Sequence, residues 1–164
     1  MSLSSIIRLF SCIFFCLLIG GLGGAATSGE IGNWYITIKK PEWNPPNWLF
    51  GPVWTTLYAL MGVALYLIWN DKSSKFIDSV FDKRVAISAF MVQLSLNFLW
   101  SFVFFKWHEM GWALVEIIIL WLSIIINIFL FYKISKLAAW ILLPYLGWVS
   151  FATFLNFTLW QLNK

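Results

Sequence analysis

The sequence predicts an all-α membrane protein, a bundle of five transmembrane helices. Three observations carry that expectation. Five apolar runs follow one another, at roughly 6–26, 49–69, 84–105, 110–132 and 138–160. Each is long enough, if helical, to cross a hydrocarbon core of about 30 Å. Charged residues make up only 11% of the chain, against about 25% in a soluble domain. Short polar stretches at 27–48, 70–83, 106–109 and 133–137 separate the runs. Such connections favour antiparallel neighbours, so residues 1–164 read as one domain without internal repeats.

The first run begins after Arg8 and ends in GGLGGAATSG. That pattern also fits a cleaved signal peptide. The apolar stretch is long for one, and Gly20 and Gly24 form a GxxxG pair that permits close helix approach. It is therefore read as a retained helix. Cys12 and Cys16 lie four residues apart on it, with no His or further Cys beside them. Two such thiols make a poor metal site and are read as small packing residues.

Before the second run stands KKPEWNPPNWLFGPVW, residues 39–54, with four prolines and three tryptophans. Proline removes a backbone donor and restricts the residue before it. Pro41, Pro45 and Pro46 should keep 39–47 out of a helix, and Pro52 should sit near a helix start at Asn47 or Leu49. The stretch is either an interfacial anchor or the stiff lid and wall of a pocket. A preformed wall loses little entropy when a ligand binds.

The third run carries Gln93, Asn97 and Ser101 at four-residue intervals, with Trp100 beside them. In the fourth, Glu116 follows Trp112 by four residues, and Asn127 lies deeper. In the fifth, Trp148 and Asn156 are eight residues apart, nearly on one face. Polar groups are costly in lipid and should face the bundle interior. Interhelical hydrogen bonding is the expected role of Gln93, Asn127 and Asn156, and Glu116 is read as a protonated structural acid, with a titrating group as the alternative. Of the twelve tryptophans, Trp34, Trp43, Trp48 and Trp107 fall near run ends, as an interfacial belt requires. Trp54, Trp100, Trp112 and Trp148 lie inside runs. Indoles converging there would suit a flat, polarisable ligand, since offset stacking adds about 0.5–1.5 kcal/mol per pair.

The net charge of +4 does not indicate nucleic acid, because the Lys and Arg residues sit singly in short loops. They set topology instead. Arg8, Lys72, Lys75, Lys83, Arg84, Lys133 and Lys136 share one side, and Lys39, Lys40, Lys106 and Lys164 the other. The N-terminus is expected on the positive, cytoplasmic-like side. No Walker loop, GxSxG, HExxH or CxxC is present. The single histidine, His108, is read as an exposed turn residue, with axial haem ligation as the alternative. The NFT sequon at 156–158 falls inside the last helix and is discounted.

Four stretches, in order, resemble one family. These are WYITIKKPEWNPPNWLFGPVWTTLYALMG, QLSLNFLWSFVFF, EMGWALVEIII and PYLGWVSFATFLNFTLWQLN. The chain is similar along nearly its whole length to the tryptophan-rich sensory protein / translocator protein family, also called the peripheral-type benzodiazepine receptor family. The resemblance implies a five-helix membrane fold, a homodimer, and a pocket under the first loop for porphyrin, haem and benzodiazepine-site ligands. It requires no cofactor, and porphyrin or haem would enter as ligand. Trp54 and Trp148 match the tryptophans tied to porphyrin photodegradation, so a light- and oxygen-dependent enzyme is the alternative to a sensor. A porphyrin or lipid transporter is a third reading. Tyr35, Phe50, Asn97, Trp100, Trp112, Ala152 and Leu155 match pocket positions, and Gly24 matches a small residue from the first helix. The sterol pattern of animal members is broken here at Phe157 and Gln161, which puts sterol binding in doubt. Separately from the resemblance, Lys39 and Lys40 are candidates to neutralise propionates.

Overall fold

The computed structural model describes residues 2–71 and 77–164, with side chains outside 77–81. Lys72 and Lys75, which enter the orientation argument, lie outside the described residues. The elements are α1 (Leu3–Gly32), α2 (Asn47–Asn70), α3 (Ile77–Ser101) continued by a π-helical turn (Phe102–Lys106), α4 (Met110–Ile134), α5 (Lys136–Ile141) and α6 (Leu143–Leu162). Taken as α1, α2, α3 with its π turn, α4, and α5 with α6, they make five spans of membrane-crossing length and hydropathy. The protein is a multi-pass integral membrane protein with an all-α fold.

Local chemistry sets the ends. Ser2 caps α1 by accepting from the Ser5 amide at 3.3 Å. α1 then runs six residues past the expected end, through AATSGEIG. Its polar residues do not stop it, because Thr27 turns its hydroxyl back onto the Gly23 carbonyl at 2.8 Å. Residues 39–46 are non-helical, as the prolines require, and α2 starts at Asn47. Pro52 then falls at the sixth helical position, as a start at Asn47 requires. It withdraws the donor that would otherwise reach the Trp48 carbonyl. The fifth span is broken near Leu142, a difference from the single helix expected over 138–160. Pro144 explains it, since its ring excludes the bond to the Trp140 carbonyl.

Close approach between α1 and α2 comes from an unexpected residue. A Cβ on Gly62 would lie 2.5 Å from the Ile13 Cα, so only glycine fits there. Gly20 of the expected GxxxG pair contributes too, since a Cβ there would lie 2.3 Å from the Tyr58 ring of α2, whereas Gly24 faces open space. Cys12 and Cys16 are free and buried in this seam. Lower in the bundle, Phe90 of α3 stacks on Phe131 of α4 at 5.8 Å. The core is continuous from there to Tyr58 and Tyr145.

Candidate functional site

A cavity of about 460 Å³ opens beneath the 33–46 loop. That volume lies in the range of small-molecule sites, roughly 300–1,000 Å³. α1 supplies its thin wall through Gly20, Gly21 and Gly24, with Thr27 and Ile31 above. α2 supplies Phe50, Trp54, Thr55 and Tyr58. α3 and its π turn supply Asn97, Trp100, Ser101, Phe104 and Phe105, and α6 supplies Trp148, Phe151, Ala152, Leu155 and Asn156. Tyr35 closes it from the loop.

The loop is tied down at three points. The Tyr35 hydroxyl donates to Asn44 Oδ1 at 2.8 Å, and Asn44 Nδ2 donates to the Pro45 carbonyl at 2.8 Å. Asn163, at the end of α6, clips the Lys39 backbone from both sides: its Oδ1 accepts from the Lys39 amide and its Nδ2 donates to the Lys39 carbonyl, each at 2.9 Å. Burial pushes the Tyr35 phenol up to about 12. The loop also meets the turn after α3. His108 stacks on Trp34 at 4.2 Å, and its Nε2 lies 3.3 Å from Glu30 Oε2, while Lys106 Nζ lies 3.6 Å from Glu30 Oε1. His108 does not line the cavity.

The walls are aromatic and held in place. Phe50 meets Trp148 edge-on at 6.1 Å, and Trp148 meets Phe151 at 5.4 Å. Trp100 stacks on Phe104 at 5.1 Å. Its indole N–H donates to Asn156 Oδ1 at 3.2 Å, and Asn156 Nδ2 donates to the Met110 carbonyl at 2.9 Å. Asn156 is thus the interhelical bridge expected of it. The Tyr58 hydroxyl donates to Asn97 Oδ1 at 3.1 Å, and Asn97 Nδ2 donates to the Tyr145 hydroxyl at 2.6 Å. Each end of the Asn97 amide is therefore engaged by a tyrosine, with one proton and one lone pair to spare. Trp148 differs. Its buried Nε1 has no hydrogen-bond partner among the described residues.

Gly24, Tyr35, Phe50, Trp54, Asn97, Trp100, Trp148, Ala152 and Leu155 all line this one cavity. Trp112 does not. It is 69% exposed on the first turn of α4, a helix that contributes nothing to the lining. Trp112 thus shares the exposed setting of Trp48 and Trp107. Lys39 and Lys40 do not line the cavity either. Lys40 Nζ stands 4.7 Å from the centre of the Tyr35 ring and donates to the Ile38 carbonyl at 3.3 Å. Sequence reasoning missed Phe104 and Phe105, which the π turn rotates inward, and no sequence signal marks that turn. It also missed Phe151, which the i+3 spacing from Trp148 should have found. Gln93, Glu116 and Asn127 are buried outside the lining. Gln93 Nε2 reaches only Met61 Sδ, at 3.8 Å, and the Glu116 and Asn127 side chains have no hydrogen-bond partner among the described residues. The interhelical bonds expected of Asn127 do not form among the described residues.

Comparison with known proteins agrees with this architecture. Residues 12–161 match the TspO/MBR family. The chain is 42% identical to the tryptophan-rich protein TspO of Chlorobaculum tepidum, over 96% of this chain and 97% of that protein. It is 43% identical to the tryptophan-rich protein TspO of Archaeoglobus fulgidus, over 97% and 99%. It is 38% identical to the human translocator protein, over 87% and 82%. With the match covering most of the chain and these identities spanning nearly all of it, this protein belongs to the TspO/MBR family.

Proposed function

We propose that this protein is a membrane receptor or sensor that binds planar tetrapyrroles, protoporphyrin or haem, in the aromatic cavity under its first loop. Benzodiazepine-site ligands would occupy the same space. One observation carries the reading: Trp54, Trp100 and Trp148 reach a single cavity, and the buried Trp148 Nε1 has no hydrogen-bond partner among the described residues. A buried donor without an acceptor is costly, by about 1–3 kcal/mol. A ligand oxygen or nitrogen would relieve that cost. The indoles would stack on the macrocycle. Asn97 would offer its remaining proton, and Lys39 or Lys40 would meet propionates at the loop. Family membership supports the ligand class.

Titration of the purified protein with protoporphyrin in the dark, followed by tryptophan quenching, tests this. Saturable quenching that Asn97→Ala weakens is expected. Absence of saturation would overturn it. An unchanged affinity in the double substitution of Lys39 and Lys40 by Ala would remove the propionate role alone. Trp54 and Trp148 lining the same cavity favours a second reading, light- and oxygen-dependent breakdown of bound porphyrin. Illuminating the same samples separates the two. Stable bound porphyrin fits sensing, and breakdown that Trp148→Phe abolishes at porphyrin concentrations that still saturate the variant fits catalysis.

A further inference from the structure

A second concavity, of about 470 Å³, lies between the same three helices α1, α2 and α3, nearer the end of the bundle at which α1 and α3 begin. Ser11, Cys12 and Phe15 of α1, Leu65 and Trp69 of α2, and Ile87 and Met91 of α3 line it. It is almost wholly apolar. Phe15 and Trp69 are part-exposed at its rim, so it opens to the outside of the bundle.

The sequence around this groove is asymmetric. On α1, Arg8 precedes Ser11, Cys12 and Phe15 by three, four and seven residues, which puts all four on one helix face. On α3, Arg84 precedes Ile87 and Met91 by three and seven residues, again on one face. α1 and α3 both start at the same end of the bundle, so the two arginines stand at the same end of the groove, one turn beyond its lining. Both are exposed. The ion pairs among the described residues are those of Glu30, so neither guanidinium has a carboxylate partner there. Arg8 makes a long bond to Asn70 Oδ1 at the end of α2, the residue next in sequence to the rim residue Trp69. The neighbouring Lys83 is committed to the Asp71 carbonyl.

We propose that this groove is a binding site for an anionic phospholipid. One acyl chain lies between α1 and α3 along Phe15, Leu65 and Met91. The phosphate sits between the Arg8 and Arg84 guanidiniums, with the Trp69 ring at headgroup depth. Two guanidiniums without a carboxylate partner among the described residues, at one end of an apolar trough, match a headgroup that carries net negative charge better than a zwitterionic one. Guanidinium also binds phosphate oxygens in bidentate geometry.

The test is native mass spectrometry of the full chain, released from detergent with equal amounts of phosphatidylglycerol and phosphatidylcholine. The wild type should retain phosphatidylglycerol selectively. The double substitution R8Q/R84Q should lower that retention about thirtyfold, at about fivefold per arginine. K133Q/K136Q, at the same end but on α4 and α5, should leave it unchanged. Ser11→Trp, which fills the groove and keeps both arginines, should also abolish it. Ser11, Arg8 and Arg84 are all exposed, so unchanged thermal melting serves as the folding control. Equal retention of the two lipids would overturn the proposal, as would full retention in R8Q/R84Q. Conversion of a dimer to a monomer by Ser11→Trp with no change in bound lipid would assign the groove to a second copy of the chain instead.

Discussion

The two halves of the bundle treat buried amides in opposite ways. In the cavity half, Asn97 and Asn156 each bridge two partners on other elements. In the packed half, Gln93 reaches only a sulfur and Asn127 bonds nothing among the described residues. The packed half is held by shape instead, with Gly62 against the Ile13 backbone and Phe90 stacked on Phe131. Lipid tails are as apolar as a core, so shape and hydrogen bonds must hold a membrane bundle together. A region whose interior is close-packed can rely largely on shape, here with the Ser5 and Tyr66 hydroxyls joining α1 to α2 at its end. A region that encloses a cavity has given up packing, and hydrogen bonds fix its walls in place.

This contrast is open to direct attack. The largest effect is expected at Gly62→Leu. Its side chain would collide with helix backbone that cannot move aside, and α1 should separate from α2, abolishing cooperative thermal melting. Next comes a matched pair. Asn97→Leu strands the Tyr58 and Tyr145 hydroxyls, at about 1–3 kcal/mol for each group left unsatisfied. Asn127→Leu strands nothing among the described residues and removes an orphaned amide, so it should be neutral or stabilising. Melting of both variants in one detergent decides the matter. Equal destabilisation would show that the halves do not differ.

Smaller effects belong to the lid. Asn163→Ala releases the Lys39 backbone, and its main consequence should be faster ligand exchange, read as a larger off-rate, with little change in melting. Tyr35→Phe removes the bond to Asn44, at about 0.5–1.5 kcal/mol. Its pH dependence has a definite sign. The phenol is raised from 10.0 to about 12, so the folded state prefers the protonated form. That preference contributes fully below pH 10.0 and is lost as pH rises towards about 12. The stability difference between wild type and Tyr35→Phe should shrink over that window and stay constant below it.

Much of this was legible in the residues. Apolar run length gave five spans, and the prolines of 39–46 gave a non-helical loop, because both follow from backbone rules that context rarely overrides. The tryptophan positions were readable only as candidates. Helix periodicity states which residues share a face, but not which face meets a cavity. Trp54 and Trp112 both lie in apolar helices, yet α2 turns Trp54 inward and α4 leaves Trp112 outside. The π turn at Phe102–Lys106 was invisible, since nothing in FVFFK forbids an ordinary helix. The close contact at Gly62 was hidden too, because a lone glycine carries no spacing signal, while the GxxxG pair pointed to Gly20, which does meet Tyr58 closely, and to Gly24, which faces open space.

The most direct test of the account sets an inside tryptophan against an outside one. Protoporphyrin affinity would be measured in the dark, in detergent, for the wild type, Trp148→Phe and Trp112→Phe. The account predicts weaker binding in Trp148→Phe, which loses both the donor and the larger ring, and wild-type binding in Trp112→Phe. Undiminished affinity in Trp148→Phe, or an equal loss in Trp112→Phe, would contradict a ligand site under the first loop.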